Sequence, residues 1–349
     1  MITNFCKKRL FSITSVIILL FGATGCKENR LKIDVSEVKA EVTFKRFDKD
    51  LFDIDTNAMQ AAFANLSKKY PDFFPSYYSE IISLGNFDDS TAPDKLKQFI
   101  NYQPTQQLFS VIEKKFVSVD EYNTQITEAF KHVKHYFPDD TLPEIIYFPG
   151  RLNNGCIYYG KQIAVGLDMY LGKDYPYEKM PHLTNYLMVK MRPEYLTRNV
   201  INALGYYRYE RFLKGKRFID QMIHEGKLAY YIDAMMPETP DSIKLALSGE
   251  NLKWCKDNEW QIWAHFVDPK LNVLYNNNPE VIIRYFEEGP FTNADGVPND
   301  ETRSSPRFAV WVGREIVRRY MDNNPKITLA ELMRETDSDK ILKGSKYRP

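Results

Sequence analysis

One segment in the middle of this chain breaks an otherwise helical hydrophobic rhythm. Residues 143–171 read as strands. PEIIYFPG is an apolar run bounded by Pro143 and Pro149, and NNGCIYYGKQIAVGLDMYLG reads as two short strands around Gly160 and Lys161, a hairpin. A further strand signal opens AEVTFKRFDKDLF at Ala40, where Val42 and Phe44 alternate with polar residues. From 54 to about 137 apolar residues recur at i, i+3, i+4, as in Met59, Ala62, Phe63, Leu66 and in Leu96, Phe99, Ile100, and again at Leu108, Val111, Ile112. Pro71, Pro75, Pro93 and Pro104 cut these into short helices. Asp120 to Tyr136 is a longer amphipathic helix with Tyr122, Ile126, Ala129, Phe130 and Val133 as its stripe. After the strands, helical patterns cover about 194–213, 216–235, 240–247, 250–268, 279–288, 306–323 and 328–342. No strand–helix–strand alternation is visible. The order predicts an α+β protein, mostly helical, with a small antiparallel sheet and helices packed around it.

The N-terminus sets the address. Lys7, Lys8 and Arg9 precede an apolar stretch from Leu10 to Phe21, too short to cross a bilayer comfortably and of signal-peptide length. Ala23-Thr24-Gly25-Cys26 then resembles the bacterial lipoprotein box, with Ala23 where Leu is commoner. The expectation is a signal peptide at 1–25, a polar tether at 26–39 and a single globular domain at 40–349, anchored by palmitate and related acyl chains on Cys26. Each buried methylene of such a chain adds about 0.8 kcal/mol. With 47 Lys and Arg against 46 Asp and Glu the formal charge is only +1. Nothing in that balance drives the body onto nucleic acid. Cys156 and Cys255 stay in the mature chain. They are either two buried thiols or a disulfide, and their spacing does not decide which.

Chemistry-bearing motifs are few. The five histidines include no HExxH pair, and His132 and His135 are expected at the surface. There is no GxSxG elbow, CxxC, Walker or GxGxxG sequence. Trp254, Trp260 and Trp263 fall on one predicted helix, at a spacing typical of core. The most informative segment is IDQMIHEGKLAYYIDAMM, residues 219–236. On a helix Glu225, Leu228 and Ile232 share a face, and Gly226 lets a neighbour approach closely. It resembles the Glu-Gly-x-Ala helix that supplies the third metal ligand in gluzincin-type zinc peptidases, one residue out of register. The upstream helix, about Thr197 to Tyr209, holds no histidine, and Asn202 to Tyr206 stands where HExxH would stand. A catalytic zinc needs three protein ligands. The resemblance therefore implies a degenerate gluzincin architecture with no catalytic residue, metal or cofactor, and a vestigial groove beside His224, Glu225 and Tyr230. The alternative is an active zinc metallopeptidase using His224 and Glu225 with His182 or His265.

Several longer segments resemble the GldB family of gliding-motility lipoproteins: FKRFDKDLF at 44–52, Tyr70-Pro71-Asp72-Phe73-Phe74, IAVGLDMYLGKDYPY at 163–177, IHEGKLAYYIDAMMP at 223–237, SPRFAVWVGREIVRRYM at 305–321 and ILKGSKYRP at 341–349. The resemblance spans nearly the whole mature chain. It implies a non-catalytic lipoprotein required for surface movement, linked to the type IX secretion machinery, with partners in that apparatus and none among nucleic acids. Of functional positions it transfers only Cys26. Cys26-Lys27-Glu28 lacks the Asp that would retain a lipoprotein in the inner membrane, so a lipid-anchored place in the outer membrane is expected.

Overall fold

Strands β2 (Glu144–Phe148) and β4 (Gln162–Gly166) are buried along almost their whole length, as strands covered on both faces must be. The computed structural model describes residues 30–177, 188, 190–287 and 304–349. Cys26 and His182 lie outside the described residues. Leu31–Pro349 forms one unit, and Leu31 and Val35, inside the segment read as a tether, are already buried in it.

The sheet is mixed, not antiparallel. Its order is β1-β2-β4-β3, where β1 is Phe44–Arg46 and β3 is Cys156–Tyr159. β1 runs parallel to β2 and β2 parallel to β4; only the β3–β4 pair is antiparallel. The hairpin is where the sequence places it, turning at Gly160 with φ 58°. Its second arm inserts between β2 and β3, and β1 joins β2 across the helices between them. Side-chain period reports which face a residue takes, and it carries no record of strand direction or neighbour.

The sheet separates two cores. Ile146, Phe148 and Ala164 point into one; Ile145, Tyr147, Ile163 and Val165 point into the other. The first core is covered by α1 (Phe47–Phe52), α2 (Met59–Lys69), α3 (Phe74–Ser76, passing into a π-helical turn at Tyr77–Ile81), α4 (Ala92–Asn101) and part of α5 (Gln103–Lys115). Its centre is aromatic: the Phe47 ring meets Tyr70, Phe73, Phe74 and Tyr77 at centroid distances of 5.0, 5.1, 5.8 and 4.7 Å.

The second core holds α6 (Asp120–Tyr136), α7 (Leu196–Tyr209), α8 (Phe218–Met235), α9 (Asp241–Leu245), α10 (Gly249–Asp257), α11 (Glu259–Val267), α12 (Pro279–Ile283), α13 (Phe308–Asn323), α14 (Leu329–Arg334) and α15 (Ser338–Ser345). α8 runs through its middle, and every residue of it except Gln221 and Glu225 is buried. The close approach expected at Gly226 is made by α13. A Cβ on Gly226 would stand 2.3 Å from the carbonyl of Gly313, and one on Gly313 would stand 2.1 Å from the Met222 oxygen. Beside this crossing the fully buried Arg314 grips two carboxylates. Its Nε and Nη2 donate to Asp233 at 2.8 and 2.6 Å, and its Nη1 and Nη2 to Asp241 at 3.0 and 2.7 Å. Lys244 lies 3.2 Å from Asp233, and Arg318 donates to the same carboxylate at 3.0 Å.

Three local expectations need correcting. His132 is buried, not at the surface, because α6 packs against both α7 and α8 and so is covered over a wider arc than its apolar stripe; His135 stays exposed. The tryptophans lie on two helices: Asn258 ends α10, its side-chain amide donating to the Trp254 carbonyl at 2.9 Å, and Trp260 is 64% exposed. The pattern at 328–342 is likewise two helices, the first opened by a Thr328–Glu331 capping box. Cys156 and Cys255 are free thiols, the first partly and the second fully buried.

Candidate functional site

α7 lies against the β3–β4 hairpin. Asn199, Asn202, Ala203 and Tyr206 fall at i, i+3, i+4 and i+7, so they form one stripe, and that stripe looks towards β3. Between the two is a cavity of about 490 Å³, lined by this stripe together with Tyr207, Tyr170 and residues 155–158. β3 is one of the two edge strands of the sheet. The loop leading into it is held by the buried Asp168, whose carboxylate accepts the backbone N–H groups of Gly150 at 2.8 Å and Leu152 at 2.6 Å. Burial raises the Asp168 pKa to about 6.

The cavity lining is bonded into the protein behind it. Arg198, buried, donates through Nε to the Lys244 carbonyl at 3.0 Å and through Nη1 to Asn199 Oδ1 at 3.2 Å. Asn199 Nδ2 donates to the Tyr170 hydroxyl at 3.0 Å, which lies 3.3 Å from Cys156 Sγ. Burial pushes the Cys156 thiol up to about 12, so at neutral pH it is not a thiolate nucleophile. Burial, and after it the charge of Arg307, brings Arg198 down to about 10. At the mouth the Tyr158 and Tyr207 rings stack at 3.6 Å and 10°.

Of the residues singled out in the sequence, Glu225 reaches this site through one contact. Tyr206 donates its hydroxyl proton to Glu225 Oε2 at 2.5 Å. Burial first, and the neighbouring carboxylate second, pushes the Tyr206 pKa well up, so it stays a phenol and a donor. His224 and Tyr230 are buried at 4% and 3% exposure and do not line the cavity. Among the described residues neither ring nitrogen of His224 has a hydrogen-bond partner. Burial, with Lys227 adding to it, lowers its pKa to about 4 and keeps it neutral. His265 sits on α11 with Nε2 at 3.0 Å from the Tyr285 hydroxyl. Among the described residues no three or more His, Cys, Asp or Glu side chains are placed to hold a metal.

The model of the family described as gliding motility protein GldB matches residues 28–349. The chain belongs to that family. Its members are lipoproteins, which makes this chain a lipid-anchored, gliding-motility protein of the cell envelope. None of the described helices is long and apolar enough to cross a membrane. Comparisons with curated proteins and with solved structures returned no match.

Residue-level reading of the sequence missed most of the lining. Tyr170, Asn199 and the Tyr158–Tyr207 stack come from three separate segments, and only packing assembles them. One signal was present: an amide, an amide, an alanine and a tyrosine at helical spacing on α7, a stripe too polar to be core.

Proposed function

We propose that the chain is a non-catalytic lipoprotein, tethered to the outer membrane by lipid on Cys26, whose α7–β3 cavity holds a segment of a partner protein in the gliding and type IX secretion apparatus. One observation carries this reading. Asn202, Ala203 and Tyr206 stand at i, i+1 and i+4 on the cavity wall, the spacing at which a zinc-peptidase helix carries His, Glu and His. The following helix supplies Glu225, hydrogen-bonded to Tyr206. These positions support reading the wall as that of a degenerate gluzincin. An amide and a neutral phenol replace the two imidazoles, and alanine replaces the general base. Such a wall offers hydrogen bonds and aromatic surface to a bound chain, and it supplies neither a metal site nor a base to cleave it.

The test is to fill the cavity. Ala203→Trp puts an indole into a space of about 490 Å³ without touching the anchor. Its expected result is wild-type abundance in the outer-membrane fraction with spreading on agar abolished. Normal spreading at normal abundance would sink the cavity reading and leave the anchor standing. Cys26→Ala tests the anchor separately: the protein should leave the membrane fraction and spreading should stop.

A further inference from the structure

A second cavity of about 350 Å³ opens at the C-terminal end of α7, on the far side of Tyr207, which lines both. Its walls are the rings of Phe137, Tyr207, Tyr209 and Phe212. Its charge comes from three elements: Arg208 at the end of α7, Arg211 in the 3-10 turn Glu210–Phe212 that follows, and Arg334 as the last residue of α14. The single carboxylate in the lining is Asp140.

Of these guanidinium groups only that of Arg208 meets a carboxylate. Arg208 has only 14% of its side chain exposed; its Nη2 donates to the Thr141 carbonyl at 2.7 Å and its Nη1 lies 3.0 Å from Asp140 Oδ2. That second contact lacks hydrogen-bond geometry, so a buried N–H is left over. Arg211 lies over the Phe212 ring, 5.2 Å from its centroid, and among the described residues neither it nor Arg334 has a carboxylate partner. The acids next to them in sequence are engaged or turned away. Glu335 is paired with Lys340 and accepts the Thr336 and Asp337 N–H groups, and Glu210 is exposed and outside the lining.

We propose that this cavity is a binding site for a phosphomonoester group. Three guanidiniums against one carboxylate leave two positive charges, and a phosphomonoester at neutral pH carries about −1.5 to −2. Planar Arg forks match phosphate oxygens in pairs, which an ammonium does not do. The volume exceeds that of the phosphate alone, and the aromatic walls take the carbon body attached to it. The phosphate source is either a soluble ester or a lipid headgroup, since a lipid-anchored protein meets both. The proposal stands apart from the α7–β3 reading: it needs no partner protein and survives if that reading fails.

The test is calorimetric titration of the full-length lipoprotein in detergent with inorganic phosphate, glycerol 3-phosphate, dihexanoyl phosphatidic acid and succinate. Phosphate and glycerol 3-phosphate are expected to bind, and Arg211→Gln with Arg334→Gln to weaken both by about tenfold or more while circular dichroism and Tm stay unchanged. Both residues are at the surface of the cavity, so the fold tolerates their change. Arg208→Lys, which keeps the charge and loses the fork, should weaken binding as well. Phosphatidic acid binding that is about tenfold tighter than glycerol 3-phosphate, and lost in the double variant, assigns the lipid source; equal affinities assign the soluble one. The proposal is overturned if no phosphate probe shows arginine-dependent binding, or if succinate binds as tightly as phosphate.

Discussion

The two faces of the sheet are held together by different physics. On the α1–α5 face a cluster of rings sits at the centre of an aliphatic layer: Phe47 alone packs against four of them. On the α6–α15 face apolar packing is laced with buried charge: Arg314 with Asp233, Arg198, Lys227 and Lys244, and the neutral His224. Both cavities open on that second face. A hydrophobic layer tolerates exchange between side chains of similar volume, whereas a layer of satisfied charges fails when one partner is removed. Such a layer costs desolvation to build, and it specifies how the helices around the cavities sit.

The largest break should come from Arg314→Met. It takes from Asp233, at 1% side-chain exposure, its two-pronged partner and leaves the carboxylate to Arg318 and Lys244, so a loss of about 3 kcal/mol, the lower end for a broken buried pair, is expected in urea unfolding. Replacing the pair together, Arg314→Met with Asp233→Leu, should recover much of that loss. If the single change is silent, the contrast between the faces is wrong.

Acid should attack the same face through His224. Its folded value of about 4 lies below the ordinary 6.5, so between those values the unfolded chain binds the proton and the native one does not. The contribution is complete above pH 6.5 and is lost as the pH falls towards 4, about 3 kcal/mol in all. Asp168, raised to about 6, works in the opposite sense: its contribution is complete below the ordinary carboxylate value of 3.8 and is lost as the pH rises towards 6. The measurement is therefore the stability of wild type minus His224→Phe across that range. A difference that does not change with pH would show that His224 takes up its proton as readily in the native state as in the unfolded chain.

On the aromatic face Phe47→Leu should cost only about 1–2 kcal/mol, because neighbouring rings close part of the gap. A larger loss in thermal unfolding would make that face as exacting as the other. The smallest effect is expected from Tyr206→Phe, which removes one half-buried hydrogen bond to Glu225 and costs about 1 kcal/mol. Paired with a spreading assay, it separates a structural bond from one that shapes the cavity.

What was legible in the sequence was local. The Gly160 hairpin, α6 from Asp120 to Tyr136 and the tight approach at Gly226 follow from period, turn residues and the missing Cβ. Glu225 was also legible as a residue of its helix to examine, through the likeness of Glu225-Gly226 to the Glu-Gly-x-Ala helix, and it is one of only two residues of α8 that are not buried. For His224 beside it, adjacent residues on a helix point about 100° apart, and only the packing of α8 shows that this one turns inward.

Class and family are written in the amino acids: short-range periodicity makes helices and strands wherever they fall, and the quoted segments mark the chain as one of the gliding-motility lipoproteins. The tertiary structure alone decided that β1, β2 and β4 run parallel, that Gly226 meets Gly313, and that Asn202, Tyr206 and Tyr170 share a cavity while Arg208, Arg211 and Arg334 share another. Those are contacts between residues far apart in the chain. A period of two or of 3.6 residues fixes the face a side chain takes and is silent about what that face will meet.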